Sequence, residues 1–328
     1  MSIEFLFIRL LEACNAGCFM CSFANSRDPY RLSVAEFDQI LSVAQADGVK
    51  YVRFTGGEPL LHRDMLTFVQ MIHDRGIQSS IITNGALLPK KAAALAAHGL
   101  NQIIVSIDSP IPEENDKLRG LQRGYELCIQ GLLEARAHGI RLRVNTVCGP
   151  HNFRDMPRLQ RILTDLGVEQ WEMSTLKLER PLDYTAQDIE EIPAVVQQLY
   201  VEAPGQGLLV PLGKIWCGNT PAEQERYFSD GIAPRPDDRC HVVNKVRYLD
   251  AKEKRLYGCS LIPHRPEAEK HALQFASYDS FRLHDETMEK QVSFFRTEGP
   301  NVCTGCSSTA SGCSNLINTH EPLGEWFY

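Results

Sequence analysis

Six short apolar runs, each separated from the next by a stretch with helical spacing, fill the first half of this chain and restrict its fold more than any other feature. The runs are Phe5–Leu10, Val49–Phe54, Ser79–Thr83, Gln102–Ile107, Arg141–Val147 and Val168–Met173. Ser33-Val-Ala-Glu36 forms a capping box that opens a helix to about Ala46, and Leu66–Arg75, Pro89–His98, Tyr125–His138 and Met156–Leu166 carry the apolar spacing of further helices. Strict strand–helix alternation predicts an α/β fold on a parallel sheet, either doubly wound or curled into a barrel. Six units are too few for the closed eight-unit barrel, so the expectation is a partial (β/α)6 TIM-like barrel. Its functional face should lie at the C-terminal ends of the strands.

The 328 residues carry a net charge of -7 with no Lys/Arg block, which argues against nucleic acid or an anionic membrane as a partner. Glu4, Arg9 and Glu12 interrupt the apolar N-terminus, so it reads as a buried first strand and not as a signal peptide or membrane span. Eleven cysteines without a secretion signal point to metal ligation in a reducing cytoplasm. Cys128 and Cys148 read as small core residues. The expected division is a core at 1–185, a connector at 186–235 with one helical run at Asp188–Tyr200, and a small domain at 236–328. That last segment holds five cysteines and little periodic helix except near Glu286–Phe295, so it is expected to need a metal staple.

Motifs follow the strands where the fold rule puts a site. Cys14-Asn-Ala-Gly-Cys18-Phe-Met-Cys21 follows the first, Thr55-Gly56-Gly57-Glu58-Pro59 the second, Thr83-Asn84-Gly85 the third and Ser106-Ile107-Asp108-Ser109 the fourth, while Asn145-Thr146 lies in the fifth. Three thiolates on one tight loop can hold three irons of a cubane and leave the fourth iron open. A structural zinc site would want a fourth Cys or His close by, and His62 and His73 stand at no such spacing. The glycines permit close approach of a ligand, and Glu58 offers a carboxylate to a cationic group.

Taken together in this order, these motifs resemble those of the radical S-adenosylmethionine enzymes. The triplet fits that family's Cys-x3-Cys-x2-Cys loop, which implies a SAM-binding 4Fe-4S cluster on Cys14, Cys18 and Cys21. The resemblance also implies that Gly56, Gly57, Glu58 and Pro59 hold the methionyl ammonium of S-adenosyl-L-methionine, and that Ser106, Asp108 and Asn145 contact its carboxylate or ribose. Asn84 joins this cofactor-binding set. Met20 stands where the family often has an aromatic residue near the adenine. The family's chemistry is a 5′-deoxyadenosyl radical that abstracts an unactivated hydrogen, with the protein excluding water and aiming it. An electron donor of flavodoxin or ferredoxin type is the implied partner.

Cys240, Cys259, Cys303 and Cys306 supply four thiolates, with the first two flanking an expected hairpin at Val246–Leu256. The set suits zinc or an auxiliary cluster. It resembles the twitch extension, a shortened SPASM-like domain carrying one auxiliary 4Fe-4S cluster. Cys313 and Cys217 are left over, and Cys313 could replace one of the four.

Peptide-modifying members of the family commonly carry a leader-binding domain before the cluster loop, and only thirteen residues precede it here. The expected substrate is therefore a small sugar or nucleoside. The Cys-x3-Cys-x-Met-Cys form is similar to that of the cytosylglucuronate decarboxylases of nucleoside-antibiotic biosynthesis. The later cysteine spacing is similar to that of aminocyclitol dehydrogenases. The first resemblance is preferred, so the expected reaction is decarboxylation of a uronic-acid nucleoside; the alternatives are aminocyclitol or aminosugar dehydrogenation and peptide maturation. A substrate carboxylate wants a cation, and Arg143, in phase with Asn145, and Lys177 or Arg180 beyond the sixth strand are the candidates. Glu172 is the expected proton acceptor.

Overall fold

The computed structural model describes residues 3–175, 184–202, 242–260, 262–264, 268–286 and 288–290. Six strands, β1 (Phe5–Arg9), β2 (Tyr51–Thr55), β3 (Gln78–Thr83), β4 (Gln102–Ser106), β5 (Arg141–Cys148) and β6 (Gln170–Thr175), pair in parallel in sequence order. Between them run α1 (Val34–Ala46), α2 (Met65–His73), α3 (Leu88–Ala97), α4 (Pro112–Arg119), α5 (Gly124–Ala137) and α6 (Met156–Asp165). This is the expected partial barrel.

The sequence reading omits α4. Its residues, Pro-Glu-Glu-Asn-Asp-Lys-Leu-Arg, carry almost no apolar periodicity, and Asn115 is its one fully buried side chain. It folds through end effects: Pro112 at the first helical position, Glu113 and Glu114 in the first turn, Lys117 and Arg119 in the last, and Gly120 in the left-handed conformation closing it. The sixth strand also begins two residues later than expected, because Val168 N–H is used to close α6 on Leu163.

A further helix, α7 (Ala186–Glu202), covers the expected run at Asp188–Tyr200. A short helix, α8 (Val242–Lys245), then leads into β7 (Val246–Asp250), β8 (Arg255–Tyr257) and β9 (Leu273–Gln274). The expected hairpin is β7–β8. Its partner, however, is the core: β7 lies parallel to β1, giving one nine-stranded sheet in the order β6-β5-β4-β3-β2-β1-β7-β8-β9. The described strands of the expected C-terminal domain thus continue the sheet of the barrel. Most of the connector and Cys217, Cys240, Cys303, Cys306 and Cys313 lie outside the described residues, as do Lys177 and Arg180.

Alternation gives the sheet two unlike faces. Phe54 packs against Phe37 of α1 and Phe68 of α2 with tilted rings, at 5.5 and 6.0 Å between ring centroids, so its side faces the helices. Phe5, Phe7, Arg53, Ser80, Gln102, Arg143 and Glu172 share the opposite face by register. Arg53 lies over the rings of Phe5 and Phe7 and donates to Ser80 and Gln102, and Gln102 donates to Gln170. This inner face is lined with hydrogen-bonding groups.

The far edge is fastened by a relay. Trp171 Nε1–H donates to Thr146 Oγ1 at 2.9 Å, and Thr146 donates to the Ile107 carbonyl at 2.6 Å. All of these groups are buried. Thr146→Val keeps the shape but strands the indole N–H, so it should lower unfolding stability by about 1–3 kcal/mol in denaturant titration. No change would show that the relay does not fasten this edge.

Candidate active site

The cysteine loop leaves β1 across the edge of the Gly56-Gly57-Glu58-Pro59 turn. Gly57 N–H donates to Leu11 O at 3.0 Å and Glu58 N–H to Ala13 O at 2.9 Å. A Cβ on Gly56 would stand 2.3 Å from Leu11 O, and one on Gly57 2.2 Å from Ala13 O; Gly56 also has φ of +144°. These glycines therefore admit the loop's own backbone, where the sequence suggested a ligand. The other side of the loop rests on the end of α4: Gly17 N–H donates to Arg119 O at 3.0 Å, and a Cβ on Gly120 would lie 2.6 Å from Gly17 O.

Glu58 is buried. Its carboxylate accepts from Thr83 Oγ1 (2.7 Å), Leu60 N–H (2.9 Å) and Asn84 N–H (2.7 Å), while burial pushes the carboxyl up from its usual range against those donors. Its first role is thus to tie the end of β2 to the end of β3. Pro59 opens the short 3-10 turn Pro59–Leu61 behind it. Asn84 reaches the cysteine loop, its Nδ2 donating to Asn15 Oδ1 at 2.8 Å and lying 4.0 Å from Cys14 Sγ.

Asp108, expected to contact the cofactor, also has partners within the protein. It is fully buried, with Oδ1 accepting from Val147 N–H at 2.8 Å and Oδ2 paired with Arg119 Nη1 at 3.0 Å. Its backbone is held by Asn115 and Asn152. The carboxylate is used inside the protein, and Arg119, which sequence reasoning missed, is the group it positions. The i+11 separation of Asp108 and Arg119 has no periodicity to expose it. Half-buried Ser106 lies beside Asn145 in the register, and Asn145 beside Glu172. Arg143 donates from Nε to Asn145 Oδ1 at 3.2 Å and forms an ion pair with Glu172. The structure thus joins the proposed cofactor and substrate residues of β4, β5 and β6 in one row.

Of the three loop cysteines, Cys18 is buried, Cys14 half-buried and Cys21 exposed. Burial pushes the Cys14 and Cys18 thiols up, and the Arg119 charge pulls Cys18 back. Among the described residues, no three His, Cys, Asp or Glu side chains are grouped as one metal ion requires. A cubane would take each of the three loop thiolates on a separate iron. Buried Arg119 Nε, without a hydrogen-bond partner among the described residues, adds a donor suited to an anionic centre.

Met20 is half-buried, and the exposed aromatic is its neighbour Phe19, edge-on to His151 at 5.6 Å. Cys259 is half-buried just past β8. The loop is also tied to the C-terminal strands. Arg9 pairs with Asp250 and with Glu12, and Lys252 bridges Glu12 and Asp28 at 2.6 and 2.7 Å.

The sequence model of the Radical SAM superfamily matches residues 8–163. A GTP 3',8-cyclase of Aliarcobacter butzleri is 30% identical over 266 residues, 75% of this chain and 77% of its own length. A probable GTP 3',8-cyclase of Sulfurisphaera tokodaii is 31% identical over 178 residues, 53% of this chain and 56% of that protein. Across three such relatives the match spans 56%, 65% and 48% of their length. The crystal structure of Streptococcus suis SuiB superposes with a TM-score of 0.68 at 16% identity, over 89% of this chain and 68% of that one, which is a likeness of fold. No helix among the described residues is long and apolar enough to cross a membrane. With the cysteine loop, the glycine turn and the parallel half-barrel in place, the chain belongs to the radical SAM superfamily, whose members use S-adenosylmethionine and a 4Fe-4S cluster.

Proposed function

We propose that this chain decarboxylates a uronic-acid nucleoside of the cytosylglucuronate kind, with Arg143 gripping the carboxylate and Glu172 accepting a hydroxyl proton. Cys14, Cys18 and Cys21 would hold the cluster, and Gly57, Glu58, Asn84, Ser106 and Asn145 would surround S-adenosylmethionine. When bound, that pair supplies a one-electron route to hydrogen abstraction from an unactivated carbon.

The observation that carries the substrate class is the Arg143–Glu172 pair on the inner face, in register with Ser106 and Asn145. Arg143 is buried and its guanidinium suits bidentate capture of a carboxylate. A substrate carboxylate can take the place of Glu172 at this fork. Glu172, with 30% of its side chain exposed, is then released toward the open end of the barrel, where a sugar hydroxyl would stand. Arg143 stays charge-balanced throughout, which avoids the cost of a lone buried cation. An auxiliary cluster on Cys240, Cys259, Cys303 and Cys306 and a flavodoxin- or ferredoxin-type donor complete the proposal as sources of electrons.

Two other substrate classes have support. Relatives named GTP 3',8-cyclase favour a nucleotide, and the fold likeness to SuiB, also solved with the precursor peptide SuiA, together with the Ruegeria pomeroyi PqqA peptide cyclase at 28% identity, favours a peptide.

Reduced enzyme should convert cytosylglucuronate with loss of carbon dioxide, read by mass. Products from an aminocyclitol lighter by two hydrogens, or cyclised GTP, with the uronate untouched, would replace the decarboxylase reading. Within it, Arg143→Met should lower kcat/KM about 100-fold, or about 2.7 kcal/mol of transition-state stabilisation. Glu172→Gln should lower kcat by about 10²–10⁴ with substrate affinity largely kept. A Glu172→Gln enzyme with full kcat would remove this residue from proton transfer.

A further inference from the structure

The end of α4 supplies more than support for the cysteine loop. Its last three carbonyls face the loop: Leu118 O accepts from Phe19 N–H at 3.4 Å, Arg119 O from Gly17 N–H at 3.0 Å, and Gly120 O from Gly17 N–H at 3.3 Å. Cys18 Sγ donates to Arg119 O at 3.6 Å. A helix C-terminus carries partial negative charge, and a thiolate or an anionic cluster placed against it is disfavoured. Some cation must compensate. Arg119 projects from that same helix end, 13% of its side chain exposed, and acts electrostatically on Cys18.

Its charge is only partly used. Nη1 pairs with Asp108 at 3.0 Å, and Asp108 also accepts from Val147 N–H, so that carboxylate divides its acceptor capacity. Nε of Arg119 is buried without a hydrogen-bond partner among the described residues. A buried, unused N–H on a cation costs stability unless an acceptor arrives. Beyond Asp108, the loop that would bind an anionic centre lies against this helix end, with Cys18 Sγ 3.6 Å from Arg119 O.

We propose that Arg119, held by Asp108, is a positioning residue of the Cys14–Cys18–Cys21 cluster, whose positive charge and free N–H favour the cluster's reduced, more negative state. Hydrogen bonds and charge near a cluster are established determinants of its potential. The proposal rests on the cluster and is independent of which substrate the enzyme takes. Its chemistry is that of a cationic donor toward an anion, which the methionyl carboxylate of S-adenosylmethionine could also satisfy. The experiment separates these two.

Wild-type, Arg119→Gln, Arg119→Lys and Asp108→Asn proteins are reconstituted anaerobically, and the midpoint potential of the Cys14–Cys18–Cys21 cluster is measured by electron paramagnetic resonance without S-adenosylmethionine. The auxiliary site is emptied in a shared Cys259→Ala, Cys303→Ala background so that one cluster reports. Arg119→Gln should make reduction about tenfold harder, a fall of about 59 mV for one electron. Arg119→Lys should remain nearer to wild type. Asp108→Asn leaves more of the Arg119 charge uncompensated and should shift the potential upward. Opposite shifts from the two partners of one ion pair are not what loosening of the loop would produce. An unchanged potential in Arg119→Gln, with a loss confined to S-adenosylmethionine affinity, would overturn the proposal. If Arg119→Gln assembles no cluster, an Asp108→Asn potential at or below wild type overturns it as well. A wild-type protein that assembles no cluster refutes the cluster ligand assignment itself.

Discussion

Everything at the mouth of this barrel depends on one close backbone contact. The entry to the cysteine loop, Leu11–Ala13, lies so near Gly56 and Gly57 that any side chain there would overlap a carbonyl oxygen. The two strands involved, β1 and β2, are already paired in register, so the contact continues their ladder past its end: Leu10 N–H donates to Thr55 O, Gly57 N–H to Leu11 O and Glu58 N–H to Ala13 O. This fixes where Cys14 begins. It also places Glu58, whose carboxylate fixes the Thr83–Asn84 turn, and Asn84 in turn touches the cysteine loop at Asn15. The result is a closed circuit of backbone and carboxylate around a site that has no regular structure of its own.

Behind that mouth, the inner face trades packing for polarity. A barrel this open could be filled by branched apolar side chains. Here Arg53, Ser80, Gln102 and Gln170 join hydrogen bonds across β2, β3, β4 and β6, with Arg53 lying over Phe5 and Phe7. Desolvation, and then the nearby Arg143 charge, work against the charge on Arg53. Burying a cation costs stability unless its donors are met, so such a face is retained where something polar must bind. The same repulsion makes Glu172 a more valuable partner for Arg143. In the proposed reaction a substrate carboxylate would inherit that attraction.

The alternating strands and helices were legible because their apolar period is strong, and all six strands stand within two residues of their expected starts. The cysteine triplet and the glycine turn were legible as chemistry. What could not be read was which partner each residue would choose. Gly56 and Gly57 look the same in sequence whether they admit a ligand or a neighbouring loop. Asp108 in a Ser-x-Asp pattern looks available, yet the missed helix α4 brings Arg119 to it. That helix is almost wholly polar, so periodicity has nothing to register, and with it went the main partner of Cys18. The parallel pairing of β7 with β1 was hidden for another reason: pairing across some 240 residues leaves no local mark.

That pairing gives the C-terminal strands a function before their cysteines are considered. Glu12 precedes Cys14 and Asp28 follows Cys21, so the loop's two flanks each end in a carboxylate. Lys252, at the turn of the β7–β8 hairpin, reaches both, and Asp250 on β7 pairs with Arg9 beneath them. Exposed single pairs contribute little, but here the charges alternate in one connected set, and Arg9 and Asp250 are largely withdrawn from water. The hairpin therefore clamps the loop on the side that neither the glycine turn nor α4 covers. A loop held on three sides has little further entropy to lose, so binding any group on its thiolates, as proposed for the cluster, would cost less ordering.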